Sequence, residues 1–271
     1  MMRCLCLSFM FLLALSASVL AQGTGLTRLN DREDLLGWEA VGRLDLGGQG
    51  FCTGTLIATD LVLTAAHCVV DRRSGKPYDP ATLTFRAGLQ DGVAIAERQG
   101  LQLAVMPGYD SRQGMQADNV RRDVALLRLA EPIAIRDASP FALHDGAANG
   151  ARISVVSYGR GRSEALSRQR ECQVLAAQND LMAFDCNVTF GSSGAPVFAH
   201  SGQRGRILSI ISGGGPYDGK RAAFGMTLPK AVATLKSRLR AAPQPQRNAP
   251  AIRRLGVGSG NTGAKFVRSG G

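Results

Sequence analysis

Between Leu35 and Thr227 the chain runs in short apolar or alternating stretches, broken at close intervals by Gly, Asp, Asn and Pro. Alternation with such punctuation predicts strands joined by turns rather than helices. The stretches GTLIATDLVLTAAH, ATLTFRAG, RDVALLRL, ARISVVSYG, APVFAH and RILSIISGGG carry the signal, and several are rich in residues that fill buried strands. The fold class expected is all-β, as a sandwich or a pair of barrels. The segment AEPIAIRDASPFALHD is Pro-interrupted and weakly patterned, which places a crossover at 131–145 between halves covering 35–130 and 146–227. After Thr227 the period changes: Leu228, Val232, Leu235 and Leu239 recur at steps of four, three and four. That spacing predicts an amphipathic helix over 228–241, opened by Pro229 and stopped by Pro243.

The two ends of the chain read differently. Residues 1–21 join a short start carrying Arg3 to the apolar run LCLSFMFLLALSASVLA and small residues at Val19 and Ala21, the pattern of a signal peptide. The mature chain is then expected to begin at Gln22 with a short segment to 34. A membrane anchor is the alternative, but the run falls short of the ~20 residues that span a bilayer, and no later stretch is apolar enough to do so. Export to a periplasm or the cell exterior follows. At the other end, residues 242–271 carry Arg247, Arg253, Arg254, Lys265 and Arg268 with no acid among them. This Pro/Gly-rich basic tail buries too little apolar surface to order itself and is expected to be disordered. It supplies part of the net charge of +11 and is suited to anionic surfaces, although a merely solvated tail is the plainer reading. No basic stretch is interleaved with aromatics as a nucleic-acid platform requires.

Of six cysteines, Cys4 and Cys6 lie in the signal segment, leaving Cys52, Cys68, Cys172 and Cys186. An even number in an exported chain favours disulfides, and sequence neighbours suggest Cys52 with Cys68 and Cys172 with Cys186. Each loop of about 15 residues would contribute roughly 3 kcal/mol in the chain-entropy model. Zinc is disfavoured, because no C-x-x-C pair is present. No metal or cofactor is called for.

Three segments need a joint explanation: LTAAHC with His67, DVALLRL with Asp123 and GSSGAPVF with Ser193. Each alone could be structural. Together, in the order His, Asp, Ser across two halves of an exported β protein, they resemble the chymotrypsin/trypsin family of serine proteases. The resemblance covers roughly Asp31 to Arg240, and FDCNVTFGSSGAPVF is similar to the nucleophile segment of the bacterial branch that includes the glutamyl endopeptidases. It implies two six-stranded Greek-key β-barrels with the active site between them, and a polypeptide substrate. His67 is then the general base and acid, Asp123 orients it, and Ser193 is the nucleophile. Gly191 and Gly194 flank the nucleophile where a Cβ would obstruct the turn. The N–H groups of Gly191 and Ser193 would form an oxyanion hole, in which one donor is worth ~3 to 4 kcal/mol of barrier. Ser212, Gly213 and Gly214 match the strand to which the substrate backbone adds.

Two departures from the family qualify the resemblance. Ser192 stands where trypsin-like zymogens place the carboxylate that receives a new N-terminus, and no Ile-Val-Gly-Gly start is visible. Asn187 stands at the base of the expected P1 pocket in place of trypsin's acid, and Ile211 replaces the His of the glutamyl-specific branch. An uncharged P1 residue is therefore expected. The rival reading is a catalytically inactive homologue acting as a binding protein, which would have no need for His67, Asp123, Ser193, Gly191 and Gly194 together.

Overall fold

The alternation of the first half places Gly42 and Leu44 inward and Arg43 and Asp45 on the opposite, partly exposed face of a strand, which is the pattern of a wall with one buried face. In the computed structural model, which describes residues 25–145, 152–200 and 204–243, that wall is a closed barrel. The signal segment 1–21 and the tail beyond 243 lie outside the described residues.

A short strand, Leu26–Arg28 (β1), precedes the barrel. The barrel strands are Val41–Leu46 (β2), Phe51–Ala58 (β3), Leu61–Thr64 (β4), Leu83–Ala87 (β5), Ala96–Val105 (β6) and Ala125–Leu129 (β7). They close antiparallel in the order β2-β3-β4-β7-β6-β5. Two short helices interrupt them, Ala66–Val69 (α1) after β4 and Ala117–Arg121 (α2) before β7. Phe85, Leu44, Leu56, Leu63, Leu83, Leu126 and Leu127 are fully buried inside.

The second half is an antiparallel sheet of Arg152–Gly159 (β8), Arg162–Gln178 (β9), Leu181–Phe184 (β10), Pro196–Ala199 (β11), Arg206–Ile210 (β12), Gly213–Tyr217 (β13) and Lys220–Met226 (β14). Its order is β12-β11-β8-β9-β10-β14-β13, and β1 adds to β9. The all-β class expected holds, and among the described residues the first barrel closes through backbone pairing while the second half forms an open sheet. Between β12 and β14 the gap is bridged by one side chain, as Ser209 Oγ accepts the Met226 N–H at 3.0 Å and donates to the Met226 carbonyl at 2.8 Å. Gly225 explains the close touch, since a Cβ there would sit 2.3 Å from the Ile210 carbonyl oxygen.

The connecting segment after β7 threads from one half to the other. Phe141 N–H donates to Leu56 O in the first barrel at 2.9 Å, and His144 N–H donates to Ile207 O in the second at 2.8 Å. The terminal helix, Pro229–Ala241 (α3), begins at Pro229 as its fixed φ favours and buries Leu235 and Leu239 completely or nearly so. It packs on β6 and β7, so the last helix among the described residues returns to the first barrel.

Candidate active site

Strand register brings His67 and Asp123 together. Thr64 at the end of β4 pairs with Ala125 at the start of β7, so the residues just after one strand and just before the other share one barrel edge. His67 stands in α1 and Asp123 between α2 and β7. Three donors converge on the buried Asp123 carboxylate. Oδ1 accepts the His67 backbone N–H at 2.8 Å, and Oδ2 lies 2.7 Å from His67 Nδ1 and accepts the Ser212 hydroxyl at 2.5 Å. The imidazole is thus fixed by its ring and its backbone, with Nε2 left for another partner.

That environment sets the ring's basicity. Burial disfavours the charged imidazole, but the charge and hydrogen bond of Asp123 outweigh it and raise the pKa above the ordinary value of about 6.5. The nearby Tyr109 phenol is pushed well above its usual range by burial, then by Asp123 and Asp110, and stays neutral.

Ser193 lies on the tight turn before β11, in the second half. Donors alternate along this turn. Ser192 N–H is bonded to Thr189 O at 2.9 Å and Gly194 N–H to Ile211 O at 2.7 Å. The N–H groups of Gly191 and Ser193 donate to no group among the described residues. Both glycines are required by geometry. Gly191 (φ +91°) would drive a Cβ to 2.4 Å from the Phe51 ring, and Gly194 (φ +76°) would place one 2.3 Å from Thr53 O and Thr64 Oγ1. The two serines are also distinguished: Ser192 is fully buried with its hydroxyl turned inward to Tyr158 O, whereas Ser193 is partly exposed. No hydrogen bond joins Ser193 Oγ to His67 among the described residues; such contacts commonly tighten only when substrate is bound.

Ser212, which bonds Asp123, leads directly into β13 with Gly213 and Gly214. Ser212 N–H donates to Phe224 O at 2.8 Å, and β13 is the last strand of its sheet, so its outer edge carries no partner strand among the described residues. Side chains would narrow this edge: a Cβ on Gly213 would meet Met115 Sδ at 2.7 Å, and one on Gly214 would meet Val188 Cγ2 at 3.3 Å. Asn187 is exposed, and its backbone N–H donates to Gln169 Oε1 at 2.7 Å. Two disulfides brace the site, Cys52–Cys68 next to His67 and Cys172–Cys186 ahead of the Ser193 turn.

Sequence reasoning missed Ser212 as an Asp123 partner, and it missed Phe51, Thr53 and Met115 altogether. Their positions are set by the meeting of the two halves, and no local pattern marks them.

A two-part β fold with this His, Asp and Ser arrangement is that of the trypsin-like serine peptidases. The chain matches the trypsin-like peptidase domain over residues 52–204 and belongs to that family. Among curated relatives it is 36% identical over 87 residues to the modular serine protease of Drosophila melanogaster, covering 30% of this chain and 13% of that protein. It is 28% identical over 247 residues to serine protease 23 of Rattus norvegicus, covering 72% of this chain and 62% of that protein. The chain thus spans less than two thirds of the length of these relatives. Among solved structures, a Glu endopeptidase in complex with MPD superimposes with a TM-score of 0.66 at 18% identity, covering 80% of this chain and 97% of that one. Protease Anisep from Arthrobacter nicotinovorans gives 0.60 at 18% identity, covering 75% and 96%. At that identity the structural likeness establishes the fold.

Proposed function

We propose that this protein is an exported serine endopeptidase that cleaves peptide bonds through an acyl-enzyme on Ser193. The observation that carries the proposal is the pair of unengaged backbone donors, Gly191 N–H and Ser193 N–H, on the turn that presents the Ser193 hydroxyl. An inactive binding protein gains nothing from two backbone donors left without protein acceptors on the turn that holds the serine, and the one on buried Gly191 is costly to leave unpaired.

In the proposed reaction a substrate strand adds to the open edge of β13 beside Ser212, Gly213 and Gly214. Ser193 Oγ attacks the carbonyl carbon while His67 Nε2 takes its proton. The carbonyl oxygen becomes an oxyanion and accepts hydrogen bonds from Gly191 N–H and Ser193 N–H. His67 then gives the proton to the leaving amine, the C–N bond breaks, and an ester on Ser193 remains. Water repeats the sequence with His67 as base and releases the acid. Asp123 holds Nδ1 as N–H, which leaves Nε2 basic. Asn187, Val188 and the glycines of β13 carry no charge themselves, and the neighbouring Arg221 guanidinium is turned to the Val188 carbonyl at 3.4 Å, which favours an uncharged P1 residue.

The test is a fluorophosphonate probe on purified protein, followed by digestion of a mixed peptide library read by mass spectrometry. Labelling at Ser193, its loss in Ser193→Ala with the fold intact, and cleavage after uncharged residues are expected. Absence of labelling, or labelling at Ser192, refutes the proposal.

A further inference from the structure

The turn carrying Gly191 and Ser193 is gripped from within by a cation that has no counter-charge among the described residues. Arg162 opens β9 just after Gly161, and its guanidinium folds back into the second half of the molecule. Nη2 donates to Ser157 Oγ at 2.9 Å and to Ser192 Oγ at 3.0 Å, and Nη1 donates to the Ser157 carbonyl. Ser192 Oγ also accepts the Thr189 N–H at 3.3 Å and donates to Tyr158 O at 3.2 Å, so its proton and both lone pairs are engaged. Gly159 makes room for this approach: a Cβ there would lie 2.8 Å from Arg162 Cζ and 2.8 Å from Thr189 Cγ2. On the outer side of the same turn, Arg160 N–H donates to Phe190 O at 2.7 Å, and its guanidinium stacks 4.3 Å from the Phe190 ring centroid. One short β8–β9 connection therefore clasps the turn from both sides.

Arg162 has no carboxylate partner among the described residues, and burial alone pulls its guanidinium down to about 10. Burying a charge without an opposite charge is unfavourable, and an apolar side chain of similar length would avoid that cost. Packing therefore gives no reason for an arginine here. Its hydrogen bonds do, because charge-assisted donors are strong and one of them ends on the residue between the two unengaged N–H groups.

Resting on the reading of Ser193 as nucleophile, we propose that Arg162 is a positioning residue, holding Ser192 and thereby the Gly191–Ser193 turn ready to receive the oxyanion without a liberated N-terminus. Ser192 offers no carboxylate to an incoming ammonium group. The internal guanidinium instead grips its hydroxyl from within the folded chain.

The experiment compares the wild-type protein with Arg162→Met, Arg162→Lys and Arg162→Ala on a fluorogenic peptide, with disulfide content and thermal unfolding as folding controls. Arg162→Met should lower kcat about 100-fold and leave KM within about threefold, since the turn acts on the transition state. Arg162→Lys should recover about tenfold of that loss. Added guanidinium ion at tens of millimolar should raise turnover of Arg162→Ala about tenfold and leave Arg162→Met, whose cavity is filled, unchanged. Rescue confined to kcat, with KM and the thermal midpoint unchanged, is what a purely structural side chain would not give. Extending the chain ahead of Gln22 should leave kcat within about tenfold.

A kcat for Arg162→Met within about threefold of wild type overturns the proposal, and so does a lack of rescue. A several-hundredfold loss on extending the N-terminus overturns it as well. Should Arg162→Met fail to fold, Ser192→Ala removes only the gripped hydroxyl and should lower kcat about tenfold at unchanged KM; wild-type kcat in that variant also overturns the proposal. A wild-type protein that neither cleaves peptides nor labels at Ser193 would instead refute the peptidase reading.

Discussion

Thr53 of the first barrel holds Ser193 of the second half: its N–H donates to the Ser193 carbonyl at 2.9 Å, and its hydroxyl donates to the Gly191 carbonyl at 2.8 Å. The same hydroxyl accepts Tyr158 N–H at 3.1 Å, and Thr64 Oγ1 donates to Thr53 O at 2.9 Å. One fully buried residue of β3 thus ties the proposed nucleophile turn to the strand that leads to His67. Thr53→Val keeps the shape and the N–H but strands Gly191 O and Tyr158 N–H in the interior. Leaving buried polar groups unpaired costs about 1–3 kcal/mol, which should appear as a lower denaturant midpoint. Activity should fall at least tenfold, and kcat/KM at wild-type level would show that the turn stands without this tie.

The elevated pKa of His67 has two consequences of definite sign. As the proposed base it must be neutral, so kcat/KM should fall with decreasing pH along a limb whose midpoint lies above about 6.5. Asp123→Asn removes the charge that raises the ring and leaves burial, so the His67 midpoint followed by NMR should drop below 6.5 and activity should fall by orders of magnitude. In stability the raised pKa favours the folded protein below about pH 6.5 and loses that contribution as pH rises through the folded-state value. A wild-type midpoint at or below 6.5 would contradict this account.

Cys52 and Cys68 close a loop with a sequence separation of 16 that runs straight into His67. Replacing both by serine should lower stability by roughly 3 kcal/mol, as loop-closure entropy indicates. Denaturant unfolding measures the effect. A larger loss of kcat than of ligand affinity would show that the bridge also places the imidazole, while unchanged stability would mean the unfolded chain is already compact there.

Beside the proposed P1 groove, a Cβ on Gly214 would come within 3.3 Å of Val188 Cγ2 and 3.2 Å of the Ala222 carbonyl on the paired strand β14. Gly214→Val should raise KM strongly for peptides with large P1 side chains and much less for those with alanine. Cleavage profiling of the two proteins on one library reads this directly. A uniform change across all P1 residues would place that pocket elsewhere.

Local pattern was enough for the β class, for most strands and for the terminal helix, because alternation and the 3.6 period are properties of consecutive residues. His67, Asp123, Ser193 and the two flanking glycines were singled out by the resemblance of their three segments to a known family, and the structure brings His67 Nδ1 to 2.7 Å from Asp123 Oδ2. β9 was obscured: its 17 residues, RSEALSRQRECQVLAAQ, keep much of one side in solvent and carry too many charges to read as a strand. What only the tertiary structure decided are relationships between distant segments. The second sheet stops short of a ladder between β12 and β14, because Gly225 brings them together at a point and Ser209 bridges it. Ser212 reaches Asp123 from 89 positions away, Thr53 reaches Gly191 from 138, and Arg162 reaches Ser192 from 30. A hydroxyl or a guanidinium has no preferred partner in sequence; its partner is whichever buried group the packed strands leave in need of one.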